Sequence, residues 1–228
     1  MHIPDGMISG GTAVASGVVS LSAVSASLVA GTRRLRERQI PLIGLLAAVL
    51  LIAQTVHVPL GPVGSVHLVG GALAAILLGP WLSCLVVAAT LLVQSIGLGH
   101  GGVTTLGANV LLTGLVAGMG GYWLFRALVA VLPRTRRGLL VATAITSWAS
   151  VVAASAVAGL LITVGGIGVL GPGKTLAVLG ALVGLHALVG IAEAVVTTAA
   201  VGVVMAVRPD LMATRDLLPA PSADSALA

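Results

Sequence analysis

Long apolar stretches separated by short polar or glycine-proline breaks dominate the chain. Residues 42–56, 81–97, 139–164 and 176–207 approach or exceed the roughly 20 apolar positions a helix needs to cross hydrocarbon. The alternation in blocks of about ten residues that marks an outer-membrane barrel is nowhere evident. Taken with its breakers, the pattern predicts helices over 7–31, 40–57, 67–79, 81–97, 107–132, 139–165 and 175–207. The third is too short to span alone and stops at Gly79-Pro80, so it is expected as a tilted or partial span buried among the others. The expected fold is all-α, a polytopic integral membrane protein of about seven transmembrane helices. Residues 1–208 are read as one transmembrane domain. Residues 209–228, with Pro, Ser and Ala but no periodicity, are read as a disordered cytoplasmic tail.

Composition agrees with a bilayer and adds an orientation. The chain is 58% hydrophobic and 7% charged, with a mean hydropathy of +1.17, which leaves too little polar surface to cover a soluble globule. Its 31 glycines suit helices that pack by close backbone approach, since lipid supplies no hydrophobic force between them. Of the 11 basic residues all but Lys174 are arginines, grouped at Arg33, Arg34, Arg36 and Arg38, at Arg126, Arg134, Arg136 and Arg137, and at Arg208 and Arg215. With seven passes all three groups fall on one side, which the positive-inside rule makes cytoplasmic. The N-terminus is then extracytoplasmic, with Lys174 and the loops around 58–66 and 98–106, and the C-terminus is cytoplasmic. The isoelectric point of about 11.1 has this topological origin, and no aromatic-basic surface points to nucleic acid. The single cysteine, Cys84, lies in an apolar run and forms no internal disulfide.

The polar opening, MHIPDG, is the exception to this pattern. A bulky second residue protects Met1 from removal, which leaves its amine as a nitrogen donor. The peptide nitrogen of His2 follows two atoms later, and His2 Nδ1 closes a six-membered ring on the same ion. Three nitrogens in one plane favour square-planar divalent nickel or copper, whose bonding offsets deprotonation of the amide. The alternative is an ordinary polar terminus capping the first helix. Four histidines, His2, His57, His67 and His100, share the outer side. His67, after the Pro/Gly-rich VPLGPVGS, is the candidate fourth donor, or else a helix-start histidine bonded to backbone. Protonation competes with metal at the His2 and His67 imidazoles and at the Met1 amine, which predicts weaker metal binding below about pH 6.5.

MHIPDGMISG, GSVHLVGGALAAILLGPW at 64–81, VQSIGLGHGGVTTLGANVLLTG at 93–114 and HALVGIAEAVVT at 186–197 resemble the CbiM/NikM family over nearly the whole chain to about residue 207. These are the substrate-capturing membrane components of cobalt and nickel energy-coupling factor importers. The resemblance implies metal bound by the Met1 amine, the backbone nitrogen and side chain of His2, and His67. The N-terminus would then insert into the protein as a site and not act as a leader. It implies a prokaryotic inner-membrane location and three kinds of partner: a transmembrane coupling subunit, cytoplasmic ATPase subunits and a small membrane accessory subunit. Nickel or cobalt is cargo, and no cofactor is expected. Family members often carry an acidic residue where this chain has His100, which is read as a surface replacement, with assistance in metal capture as the alternative. No fused domain or further span follows helix seven, so an accessory subunit is expected to be separate.

Three other readings compete. Residues 168–175, GVLGPGKT, match the phosphate-cradling loop formally, but that loop works between a strand and a helix. Here the flanks are spanning helices and Lys174 faces outward, so an ordinary glycine-rich turn is expected and the chain is not read as an enzyme. Gln94, Asn109, His186 and Glu193 lie within spans and must face partners. His186 and Glu193, seven apart, share a helix face and are expected to make interhelical hydrogen bonds. The alternative is a stand-alone proton-coupled divalent metal carrier that uses both residues as its relay. Gln94 and Asn109 are candidates to hold the N-terminal segment. An intramembrane hydrolase is disfavoured, because neither a Gly-x-Ser-Gly nucleophile segment nor a pair of catalytic aspartates is present.

Overall fold

The computed structural model describes residues 2–59, 65–165 and 175–218. Seven long or medium helices carry the described chain: α1 (Gly10–Arg34), α2 (Ile40–Thr55), α3 (Gly71–Leu78), α4 (Pro80–Gly97), α5 (Leu106–Val131), α6 (Arg136–Gly165) and α7 (Thr175–Val207). Six are long and apolar enough to cross a bilayer. The exception is α3, whose 8 residues extend only about 12 Å.

Two helices begin later than periodicity predicts, and both departures shape the site. Pro4 lacks an N–H, Gly6 turns left-handed at φ +79, and the extended Ser9 accepts the Thr12 amide as N-cap, so α1 starts at Gly10 and not at residue 7. Residues 2–9 form a non-helical strap with Ile3, Met7 and Ile8 buried. The third helix starts at Gly71 and not at residue 67. Before it, β1 (Val58–Pro59) and β2 (Ser65–Val66) pair antiparallel, Val58 opposite Val66, and Gly70 takes a left-handed φ of +70.

Beside an apolar core that includes Leu50, Ile76, Leu91 and Phe125, α1 buries small and polar residues and shows apolar ones outward, as close packing in lipid allows. Along α1, Ser16, Ser20, Ser27 and Gly31 face inward, while Val14, Val18, Leu21 and Leu28 are exposed. Where α1 crosses α5, Ser20 Oγ donates to the Gly107 carbonyl at 2.6 Å, and a Cβ on Gly107 would overlap the Gly17 backbone. All eight residues of α3 are buried. The middle of α5, Leu111–Gly120, winds as a π-helix. Against it, a Cβ on Gly71 would lie 2.6 Å from the Thr113 carbonyl oxygen.

The helices alternate in direction between two ends. The histidines His2, His57, His67 and His100 gather at one. Arg33, Arg34 and Arg36 line a cleft at the other with Gly79 and Ala213, and Arg126 lies 3.7 Å from Asp216 there. The beginning of the expected tail differs from its reading as disordered. Ala213 N donates to the Leu77 carbonyl at 2.7 Å, Thr214 Oγ1 donates to that of Ile76 at 3.0 Å, and Met212 is buried. These carbonyls end α3 without helical partners, and the segment supplies them. Residues 219–228 lie outside the described residues.

Candidate metal centre

His2 and His67 come together at the histidine end. Their ring centroids are 4.3 Å apart with planes inclined by 33°, and the residues are 5% and 3% exposed. Two imidazoles at cis positions of one ion, with metal–nitrogen bonds of about 2.0–2.1 Å, have centroids about 4.5 Å apart. Both ring nitrogens of His2 are buried without a hydrogen-bond partner among the described residues, an arrangement that is costly unless something else occupies them. His67 Nδ1 lies 2.7 Å from the Leu68 carbonyl. A carbonyl only accepts, so Nδ1 carries the proton and Nε2 is the lone-pair nitrogen of the neutral ring. His67 lies before the helix and not at its start, but the backbone bond expected of it is present and fixes the tautomer a ligand needs. Met1 lies outside the described residues.

Burial pushes both imidazoles down to about pKa 4; at His2 the neighbouring Gln94 works against burial, while His100 and His57 add to it, and at His67 the Leu68 carbonyl opposes it while His186 and His100 reinforce it. Both rings are thus neutral well below pH 6.5. Their part of the expected pH dependence moves down to around pH 4, with burial as the physical reason.

The strap is held by a built receptor. Asn109 grips the Ile3 peptide from both sides, accepting its N–H at 2.8 Å and donating to its carbonyl at 3.1 Å. Thr105 Oγ1 also donates to that carbonyl at 2.6 Å, as does Gly102 N at 3.2 Å. The Asp5 carboxylate accepts from the amides of Val103 and Thr104 at 3.1 and 2.8 Å and from the Thr104 hydroxyl. The hydroxyl, followed by these amides, holds the Asp5 carboxyl below the usual carboxylate range, although the group is almost fully exposed. Glycines let the loop come this close. Gly101, at φ +78, lies against His2 and Asn109, and a Cβ on Gly102 would overlap Asp5.

His67 is positioned from the other side. The carboxylate of Glu193 on α7 accepts the amides of Val69 at 2.5 Å and Gly70 at 2.6 Å, and the Val69 carbonyl accepts Gln54 Nε2 at 2.6 Å. Gln94 Nε2 in turn donates to Gln54 Oε1 at 2.8 Å. Of the two candidate strap-holders Asn109 makes the contact, while Gln94 braces Gln54 beside His2. Gln54, Thr105 and the amides of 103–104 escaped the sequence reading. Gln54 carried a usable signal, because an amide inside an apolar helix has to find a partner. His186 Nδ1 lies 2.8 Å from the Leu182 carbonyl, and its buried Nε2 has no hydrogen-bond partner among the described residues. Both Glu193 oxygens are engaged by backbone. Residues 168–174 of the formal phosphate loop lie outside the described residues, and the helices α6 and α7 flank it.

The fold and this site define a multi-pass helical membrane protein whose polar interior presents nitrogen donors at one end. The description "Cobalt uptake substrate-specific transmembrane region", CbiM, matches residues 2–211, and the chain belongs to that family. It is a non-enzymatic membrane component of metal transport. A provisionally named fused nickel transport protein NikMN of Archaeoglobus fulgidus is 34% identical over 213 residues, covering 93% of this chain and 68% of that one. The cobalt transport protein CbiM of Sorangium cellulosum is 35% identical over 128 residues, 55% of this chain and 57% of that one. A solved structure described as a truncated transition metal transporter superposes with a TM-score of 0.79 at 24% identity, over 90% of this chain and 99% of that one, a likeness of fold.

Proposed function

We propose that this chain captures divalent nickel or cobalt at its histidine end and passes it inward as the substrate-binding subunit of an energy-coupling factor importer. The observation that carries the reading is the buried His2–His67 pair, with both His2 ring nitrogens unpartnered and a centroid separation suited to cis ligation. The donors are the Met1 amine, the peptide nitrogen and Nδ1 of His2, and His67 Nε2. The first three form fused five- and six-membered chelate rings, which leaves His67 opposite the peptide nitrogen and next to the His2 ring. Four nitrogens in a plane suit nickel.

The arginine end faces the cytoplasm in this reading, as the positive-inside rule requires. Partners are a transmembrane coupling subunit, cytoplasmic ATPase subunits and a small membrane accessory subunit. The stand-alone carrier is the weaker reading: Glu193 has both oxygens committed to the backbone of residues 69 and 70, where it braces His67 and is not placed as an open proton relay.

Vesicle uptake separates the two. Sealed vesicles holding this chain with its partners are expected to accumulate nickel or cobalt only with ATP on the side of the ATPases. Uptake by the chain alone, driven by a proton gradient and indifferent to ATP, would establish the carrier.

A further inference from the structure

A second histidine pair stands beside the first. His57 and His100 have ring centroids 4.6 Å apart, edge to face at 73°, again near the separation of about 4.5 Å that cis ligation of one ion gives. Both are partly exposed, whereas His2 and His67 are buried. His57 Nδ1 lies 2.9 Å from the Thr55 carbonyl, which makes Nδ1 the donor and Nε2 the lone-pair nitrogen. His100 Nδ1 is buried without a partner among the described residues.

The backbone places the two pairs in register. The hairpin pairs Val58 with Val66, which puts His57 across from His67. His100 sits between two left-handed glycines, Gly99 and Gly101, its amide closing the end of α4 on the Gln94 carbonyl at 3.0 Å. The next residue, Gly101, packs on His2, whose Cβ would lie 3.4 Å from a Cβ placed there. Each outer histidine is thus adjacent to one inner histidine. Both outer rings also act electrostatically on His2.

We propose that His57 and His100 form an outer, transient site for the same divalent cation, from which it passes to His2 and His67. The inference rests on the capture reading above. The transfer is a ligand exchange: the bonds from the ion to His57, His100 and water break as the four to the Met1 amine, the His2 peptide nitrogen, His2 Nδ1 and His67 Nε2 form. The His2 peptide proton and the extra proton of the Met1 ammonium leave to solvent, and no oxidant or reductant is needed. Two imidazoles and water hold an ion loosely, which suits a site that must release it.

The test uses the full chain with its native N-terminus, purified in detergent, and Co2+ alone as probe. In His57→Ala/His100→Ala, association is expected to slow about tenfold and dissociation by the same factor, with Kd within about twofold of the parent. An outer stop on the path changes both rates and not the equilibrium. His100→Asp, which keeps a donor atom, restores most of the association rate. In a His2→Ala/His67→Ala background, weak Co2+ binding with an imidazole signature remains and disappears when His57 and His100 are also removed. An unchanged association rate overturns the proposal. So does faster dissociation with weakened Kd, which would make the pair a brace for the inner site. If the parent protein itself fails to bind Co2+ or Ni2+, the capture reading fails instead, and the two failures are told apart by that control.

Discussion

At the scale of single residues, the candidate site is held by groups outside its proposed donor set. Asn109 holds the Ile3 peptide through two hydrogen bonds, and truncating it leaves the buried Ile3 N–H unpaired, at a cost of about 1–3 kcal/mol, while the Ile3 carbonyl keeps Thr105 and Gly102. Asn109→Ala is therefore expected to weaken metal binding by about 10- to 100-fold, the usual effect of losing a group that orients a ligand, while the helices stay intact. Isothermal titration beside circular dichroism checks both halves, and unchanged affinity would mean that the strap holds without Asn109. Glu193→Gln places an amide N–H2 where one backbone N–H now donates, so His67 loses part of its brace. Nickel affinity is expected to fall by at least about tenfold, with the remaining uptake still driven by ATP and indifferent to a proton gradient. Uptake that is proton-driven in the parent and loses that drive in the variant would instead return Glu193 to the relay role. The candidate ligand His2 was legible in the sequence because chelation by an N-terminal amine and its neighbours follows from covalent spacing, and His67 was a candidate through its place after VPLGPVGS and the family resemblance. Asn109 was named there as a holder of the strap, whereas the grip of Glu193 on Val69, across 124 positions of sequence, was not legible, since nothing local announces such a contact.

At the scale of elements, the helices were legible wherever hydropathy alone decides, and their ends moved wherever a specific turn decides. Periodicity carried α1 back to residue 7 and α3 back to residue 67, into segments that Pro4, Gly6 and Ser9, and then the hairpin and Gly70, hold out of helix. Those two departures are what form the site: the strap exists because α1 starts late, and His67 lies on extended chain because α3 does. The fit of strap to loop is tight at Gly102, where a Cβ would overlap Asp5. Gly102→Ala is expected to push the strap out and lower nickel affinity by more than about tenfold without unfolding the helices. Parent-like affinity would show that the loop yields. Away from the site, Gly107→Ala forces α1 from α5 and is expected to lower stability in detergent by about 1–3 kcal/mol, read as a lower melting temperature.

Across the whole molecule, the alternation of helices sorts histidines to one end and arginines to the other, a separation already visible in the spacing of charge along the chain. The arginines make their end the expected cytoplasmic one. With Cys84 buried and replaced by Ala, a cysteine at Lys174 is expected to react with an impermeant maleimide added outside intact cells, and one at Arg215 only after lysis. The reverse pattern would invert the topology and place the proposed capture site on the cytoplasmic side. The packing of residues 212–214 on the end of α3 was not legible, because a short segment without periodicity gives no sign that a helix end needs its hydrogen bonds.

The most direct test of the account concerns the first residue. Nickel and cobalt binding is measured on the purified protein with its native N-terminus, beside a protein that carries two extra residues ahead of Met1 and differs in nothing else. The extension keeps every side chain and removes only the terminal amine from the chelate. The account predicts that binding collapses in the extended protein while its helices remain folded. Equal affinity in both would contradict it, since the histidines would then hold the ion without the amine and the proposed donor set would be wrong.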